Sequence, residues 1–328
     1  MSKVRWGLLS TANINRRLIP AIRASQRGEL VAVASRSKAT SAAYAKKWDI
    51  PHAFGSYEGM LNSGMVDAVY ISLPNHLHAE WSIRAMQAGV HVLCEKPFAI
   101  SLEEVDAMIA ASHQYGRALA EAFMYRHHPQ TKIAGEWAHS GRLGKICLVR
   151  SIFNFPLQNR GNVRLVPEYG GGCLWDVGVY PLSFSQYILG RLPEWVIGAQ
   201  WIGASGVDET FAGQMHYSGD QMAQIASSFR SPQYTYAEII GTEGQLILNR
   251  PFIGLGDPER QLMFYPVNGE AQEIPVPEQE LYVGEVEDMH AAILDNQPCY
   301  IKLEESRSHV QTALALYEAA QKGKSVSA

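Results

Sequence analysis

The sequence predicts an α/β protein, a doubly wound parallel sheet followed by a second domain of α+β type. Three observations predict it. Over the first third of the chain, short apolar runs alternate with helical stretches, the pattern of a parallel sheet covered on both faces. After about Phe123 the rhythm changes to strand-like runs separated by Gly, Asp and Pro turns, which read as hairpins of a largely antiparallel open sheet. At 328 residues, 47% hydrophobic and 18% charged, the chain is too long for one ordinary domain and can fill two cores. The expected division is 1–122 and 123–328.

"RWGLL" is the first strand, and apolar residues at Ile14, Leu18, Ala21 and Ile22 give helical spacing from about Asn13. "LVAVAS" and a helical stretch through Ala42, Ala43, Ala45 and Trp48 follow. Then come "DAVYIS", a helix around "HAEWSIRAMQAG", and "VHVLCEK". "SLEEVDAMIAASHQYG" opens with a Ser101-x-x-Glu104 capping box and closes at Gly116, and "RALAEAF" ends the series. In the second part a helix around "HPQTKIAGEWAHSG" leads into "KICLVRSIFNF". "FAGQMHYSG", "QMAQIASSF", "TYAEIIGTEGQLILN" and "RQLMFYPVNG" read as strands, and two helices close the chain. One face of that sheet should meet helices. The alternation Gln221-Met222-Ala223-Gln224-Ile225 leaves apolar positions on the other, so a homodimer or dimer of dimers formed sheet to sheet is expected.

A net charge of −4 without any Lys/Arg run argues against nucleic acid or an anionic membrane as partner. Cys94, Cys147, Cys173 and Cys299 stand far apart with no C-x-x-C, which suits a reduced, cytoplasmic protein. Polar Ser10, Thr11, Asn13 and Asn15 stand where a signal peptide would be apolar, and no run approaches the ~20 residues of a membrane helix. Pairing His76 and His78 with His127 and His128 as a metal site lacks supporting carboxylates, so no metal is expected.

Ligands of a doubly wound sheet bind at the carboxyl ends of its strands. After the first strand, Ser10-Thr11-Ala12-Asn13-Ile14-Asn15 occupies the place of the dinucleotide-binding G-x-G-x-x-G, with no glycine. Ser10 and Ala12 are small enough for a loop with φ below zero to approach phosphate, and the helix N-terminus supplies N–H groups whatever the side chains. Ser10, Thr11 and Asn13 add donors, whereas Asn15 implies looser packing beneath the loop. Alone, the segment reads better as an ordinary turn and helix N-cap. The second strand ends in Ser35-Arg36-Ser37-Lys38, where an NAD enzyme places an acid on the ribose 2′-hydroxyl. Arg36 can instead bind a 2′-phosphate, which favours NADP over NAD; the alternative is a solvated basic helix start. Leu73-Pro74-Asn75 forces a turn at another strand end, where Asn75 and His78 can hydrogen-bond ribose or nicotinamide, although either histidine, His76 or His78, can simply cap the next helix, as a lone His on a loop more often does.

Several motifs in order carry a resemblance. They are Pro74-Asn75-x-x-His78, Glu95-Lys96-Pro97, "EAFMYRHHP" from Glu121, "GGGCLWDVGVYPL" from Gly170, "GTEG" from Gly241, and "EVEDMHAAI". Together they resemble the glucose–fructose oxidoreductase / inositol dehydrogenase / MocA family over essentially the whole chain, and within it the dihydrodiol dehydrogenase and aldose dehydrogenase-like branch.

The resemblance implies an N-terminal Rossmann domain binding NADP through the degenerate loop, and a C-terminal substrate and dimerisation domain. It implies that Lys96 sits beside nicotinamide and substrate, with Glu95 and Arg126 on the cofactor side. It places Tyr180 of Asp176-x-Gly178-x-Tyr180 in the acid/base slot and gives Asp176 the task of positioning Lys96 or a substrate hydroxyl. A phenol with an ordinary pKa near ~10 must be brought down by roughly 2–3 to act as a base near neutrality. A nearby ammonium and the cationic oxidised nicotinamide both act in that direction. Tyr125, His128, Phe155 and Trp175 are expected to line the substrate pocket, and Gly170-Gly171-Gly172 to let backbone approach the ligand. The implied reaction is hydride transfer on a sugar or polyol, foremost that of an aldose 1-dehydrogenase. A sugar-ketone (anhydrofructose-type) reductase, a trans-dihydrodiol dehydrogenase and a silent NADP-binding sensor are the alternatives. Retention of Lys96, Asp176 and Tyr180 together favours the enzyme.

Overall fold

In the computed structural model, which describes residues 3–253 and 260–328, the chain divides into two units. One comprises Met1–Met124 with Tyr282–Arg307, and the other Tyr125–Leu281 with Ser308–Ala328.

The first unit opens with β1 (Val4–Leu9), α1 (Asn15–Ala24), β2 (Gly28–Ala34), α2 (Lys38–Trp48), β3 (His52–Phe54), α3 (Tyr57–Leu61) and β4 (Ala68–Ile71). It continues through α4 (His78–Gln87), β5 (His91–Glu95), α5 (Leu102–Tyr115) and β6 (Leu119–Ala122). The six strands pair in parallel in the order β3-β2-β1-β4-β5-β6. Burial on both faces explains the unbroken apolar runs, and every residue of β4 is buried. At α5 the Ser101 hydroxyl accepts from Glu104 N (3.2 Å), Glu104 reaches back to Ile100 N (3.1 Å), and Gly116 closes the helix at φ 59°. The sheet order reverses between β1 and β4. The crevice outside their carboxyl ends is where such a sheet binds its ligand.

The second unit contains α6 (Pro129–His139), β7 (Ile146–Asn154), α7 (Val179–Leu189), β8 (Trp195–Ile202), β9 (Asp208–Tyr217), β10 (Gln221–Ser228) and β11 (Tyr234–Gly241). It also contains β12 (Gly244–Asn249), β13 (Leu262–Pro266) and β14 (Gln272–Glu273). The chain then forms α8 (Val283–Leu294) in the first unit, α9 (Leu303–Lys322) and a terminal β15 (Val326–Ser327). The sheet runs β14-β13-β12-β11-β7-β10-β9-β8-β15, antiparallel throughout except for the parallel pair β7–β10. Helix α7 covers one face at β7 and β10, and Leu316 of α9 approaches Gly198 of β8 and Gly213 of β9, where an added Cβ would lie 2.8 Å from it. The opposite face exposes Trp195, Ile197, Trp201, Tyr234 and Tyr265, which the strand registers place on one side.

The division differs from 1–122 and 123–328, because residues 282–307 return to the first unit. Trp6 of β1 is fully buried, so its indole N–H needs a protein acceptor. It finds His290 Nε2 of α8 at 2.9 Å, and Arg27 pairs with Asp295 at 2.6 Å. Nothing local in the sequence announces these long-range partners.

Candidate active site

Three loops of the first unit reach the carboxyl ends of β1, β2 and β4. In the first, Ser10 adopts φ 151°, a conformation proper to glycine, and not the φ below zero expected of this loop. Asn15 is fully buried rather than loosely packed: its Nδ2 donates to Ser10 O (2.9 Å) and its Oδ1 accepts from Ser72 Oγ (2.6 Å). Thr11, Ala12, Asn13 and Ile14 lead into α1, which has no side-chain cap and no acid in its first turn. The amides of Asn15, Arg16 and Arg17 already donate to Ala12 O, Asn13 O and Ile14 O, so the loop amides just ahead of the helix, with the partial positive charge of its start, suit an anion. In the second loop Ser35 Oγ accepts from Ser37 N (3.4 Å), Ser37 caps α2 through Thr40 N (3.3 Å), and the Lys38 ammonium binds Ala53 O. Arg36 is exposed at the start of α2, whose first turn is also free of acid. Acid-free helix starts beside an arginine fit a phosphorylated dinucleotide.

Leu73, Pro74 and Asn75 turn the chain after β4. His78 lies beneath them, fully buried, with Nδ1 2.8 Å from Pro97 O and Nε2 2.9 Å from Leu73 O. This corrects its expected contact with ribose or nicotinamide, since the buried ring is enclosed between the backbone carbonyls of two site loops and donates to one of them. At the end of β5, half-buried Glu95 accepts from the Tyr70 hydroxyl and from Lys96 N (3.2 Å), and Lys96 is half-buried at the strand's mouth. Phe98 N donates to the buried Glu121 at 3.0 Å, which fixes the exit of that loop.

Burial pushes the His78 imidazole down to about 4 despite the two carbonyls, and burial with Lys132 and Arg126 pushes His127 down to about 3. Both histidines fold neutral and titrate near ~6.5 when unfolded, so the unfolded chain binds more protons below that pH. Stability is thus complete above pH ~6.5 and is lost as pH falls toward the folded values, by on the order of 3 kcal/mol for each histidine. Urea denaturation at pH 7 and pH 4.5 should differ by several kcal/mol, and H78Q should flatten that slope. A pH-independent midpoint would refute it.

In the second unit, residues Leu174–Gly178 form a π-helical turn ahead of α7, a geometry frequent at functional sites. It makes Asp176 part of the turn rather than a helix cap. The Asp176 carboxylate accepts from Arg164 Nε at 2.6 Å, an arginine that sequence reasoning passed over in the long segment after β7. Tyr180 is 5% exposed, with its ring centroid 5.6 Å from Tyr125, 5.2 Å from Phe153 and 5.7 Å from Phe252. Asp208, also missed, accepts from Leu174 N (2.8 Å) and from the Tyr317 hydroxyl (2.8 Å), anchoring the turn.

Several residues expected in the pocket are buried within the second unit. Tyr125 is fully buried and hydrogen-bonds Ser183 Oγ at 2.6 Å, so it supports Tyr180 rather than lining a pocket. Arg126 is buried over the Tyr187 ring at 4.0 Å. His128 is buried and caps α6 through Gln130 N at 3.1 Å. Trp175 is buried 5.6 Å from the Tyr317 ring, whereas Phe155 remains half-buried against Phe229, with Arg164 5.9 Å from its ring. The glycine run serves the protein's own packing: a Cβ on Gly171 would lie 2.6 Å from Arg164 O, and one on Gly172 (φ 124°) 2.0 Å from Asp208 Oδ1. No cluster suited to a metal occurs among the described residues, nor does any helix long and apolar enough to cross a membrane.

The first unit thus offers an anion-binding crevice and an ammonium. The second offers a carboxylate on the π-helical turn and a phenol in the first turn of the helix that follows it. Residues 4–123 match the model of an oxidoreductase family with an NAD-binding Rossmann fold, and residues 132–247 match the GFO/IDH/MocA C-terminal domain. The chain belongs to the GFO/IDH/MocA family. Like its relatives there, it is an oxidoreductase on an NAD(P)-binding Rossmann fold. It is similar to D-xylose 1-dehydrogenase (NADP(+)) 2 of Haloferax volcanii, at 36% identity over 98% of both chains. It also resembles 1,5-anhydro-D-fructose reductase of Ensifer adhaerens, at 30% identity over 97% of both. Among solved structures, a 3-ketoreductase from Actinomadura kijaniata in complex with NADP and TDP-benzene superposes with a TM-score of 0.91 at 26% identity, covering 97% of this chain and 98% of that one.

Proposed function

We propose that this GFO/IDH/MocA protein is an NADP-dependent aldose 1-dehydrogenase acting on a xylose- or glucose-type sugar. The end-to-end similarity to an NADP-dependent xylose dehydrogenase carries the reading. The residues present agree with it. Ser10 to Ile14 and the start of α1 hold the pyrophosphate, Arg36 the 2′-phosphate, and Leu73, Pro74, Asn75 and Glu95 the nicotinamide ribose side. The dinucleotide, when bound, supplies the hydride acceptor. Tyr180 takes the proton from the reacting hydroxyl, and the Lys96 ammonium stabilises the negative charge that develops on oxygen during its removal. Asp176, held by Arg164, orients a substrate hydroxyl. In the opposite direction Tyr180 donates the proton, which a phenol does without any lowered pKa. The similarity to an anhydrofructose reductase gives that direction, on a sugar ketone, as the second reading.

Initial rates of nicotinamide reduction with NADP⁺ and NAD⁺, over a panel of aldoses, polyols and a trans-dihydrodiol, test the proposal. Turnover of an aldose with NADP⁺ supports it. NADPH oxidation by a sugar ketone alone would establish the reductase instead. We also infer that the open face carrying Trp195, Ile197, Trp201, Tyr234 and Tyr265 receives a second copy of the chain. Light scattering at micromolar concentration should give at least a dimer, and W201R should weaken it; a monomeric wild type would refute the assembly.

A further inference from the structure

The loop after β1 does without glycine, yet Ser10 takes a glycine's conformation at φ 151°. An L-residue stays there only where its surroundings over-determine it. The surroundings are a closed ring of directional hydrogen bonds. The Ser10 hydroxyl meets Ser72 Oγ at 2.7 Å, the Ser72 hydroxyl donates to Asn15 Oδ1 at 2.6 Å, and Asn15 Nδ2 donates to Ser10 O at 2.9 Å. Ala12 N donates to Ser10 Oγ at 3.1 Å, tying the next turn of the loop to the same ring. Ser10, Asn15 and Ser72 are all buried, Asn15 wholly so. Polar side chains in such a place cost stability unless each is satisfied, and here the Ser10 hydroxyl has Ser72 O at 3.1 Å as a further acceptor.

We propose that Asn15 and Ser72 are positioning residues for the cofactor loop: by holding Ser10 at positive φ they set the N–H groups of the loop that leads into α1, replacing the glycines this loop lacks. The inference rests on the dinucleotide reading of the crevice. It explains why the first residue of α1 is a buried asparagine, where a tight helix–strand contact ordinarily asks for glycine. It also gives Ser72, which no motif singles out, a task beside Leu73 and Pro74.

The test is NADPH binding by fluorescence titration for wild type, N15A, S72A, S10G and S10G/N15A, with folding checked by circular dichroism. N15A and S72A should each weaken NADPH binding about tenfold, the worth of one good hydrogen bond. The kinetic cost should fall on the KM for the cofactor and not on that for the sugar. Glycine at position 10 needs no support, so N15A should cost less than about threefold in the S10G background. An equal loss in both backgrounds, or NADPH affinity unchanged in N15A, would overturn the proposal. If N15A does not fold, S72A with and without S10G makes the same comparison. A wild type that binds neither NADPH nor NADH overturns the dinucleotide reading itself, and this inference with it. Normal wild-type binding with unaffected variants overturns this inference alone.

Discussion

Replacing Tyr180 with phenylalanine is expected to lower kcat by roughly 10²- to 10⁴-fold, the span of a lost general acid/base, with NADPH binding retained. The substitution is clean. The Tyr180 ring packs against Tyr125, Phe153 and Phe252, and phenylalanine keeps every one of those aromatic contacts. The backbone is held independently, because Tyr125 Oη lies 3.4 Å from Tyr180 O and Ser183 Oγ donates to the same carbonyl at 3.1 Å. What disappears is the hydroxyl. K96M should be comparably slow, and the double variant should be scarcely slower than either alone, because groups that act as a unit do not add. D176N tests a different function. It weakens the ion pair with Arg164, so its cost should appear in the KM for the sugar as well as in kcat. Y180F retaining more than a tenth of wild-type kcat would remove Tyr180 from the chemistry.

Much of the fold is written in local pattern. Alternating apolar runs specify a parallel sheet, and Ser101, Glu104 and Gly116 mark one helix at both ends. The motifs at the ends of β4 and β5 stand where a doubly wound sheet binds ligands. What the pattern hides is direction and partnership. Tyr125, Arg126 and His128 share one short stretch with conspicuous chemistry, but the turn they form aims them at Ser183, Tyr187 and the start of α6. Residue type alone does not disclose which side of a turn faces the core. The π-helical turn at Leu174–Gly178 has no period that sequence spacing detects, and the carboxylate that anchors it, Asp208, lies 34 residues from the amide it binds. Arg164 and Ser72 were illegible for the same reason: each acquires its role from a partner brought near only by folding. Ser10 is different again. Its composition argued for ordinary dihedrals, and the hydrogen bonds of Asn15 and Ser72 override that preference.

Arg36 should decide between the two dinucleotides. Of the four polar residues after β2, Ser35 and Ser37 are occupied with local backbone and the Lys38 ammonium with Ala53 O. Arg36 is exposed at the start of a helix that carries no acid in its first turn, so no nearby carboxylate there repels a phosphate. A guanidinium on a 2′-phosphate makes charge-assisted bonds worth roughly 1.5–3 kcal/mol, about 10- to 150-fold in affinity. R36A should therefore raise the KM for NADP⁺ by that factor and leave the KM for NAD⁺ nearly unchanged, since NAD⁺ has no phosphate to lose. R36D should go further and reverse the preference, because its carboxylate repels the 2′-phosphate and can accept from the ribose hydroxyls. Both effects should shrink in high salt, as expected of an exposed charge pair. If the wild-type protein prefers NAD⁺, or if R36A weakens both dinucleotides alike, the guanidinium is not reading the phosphate.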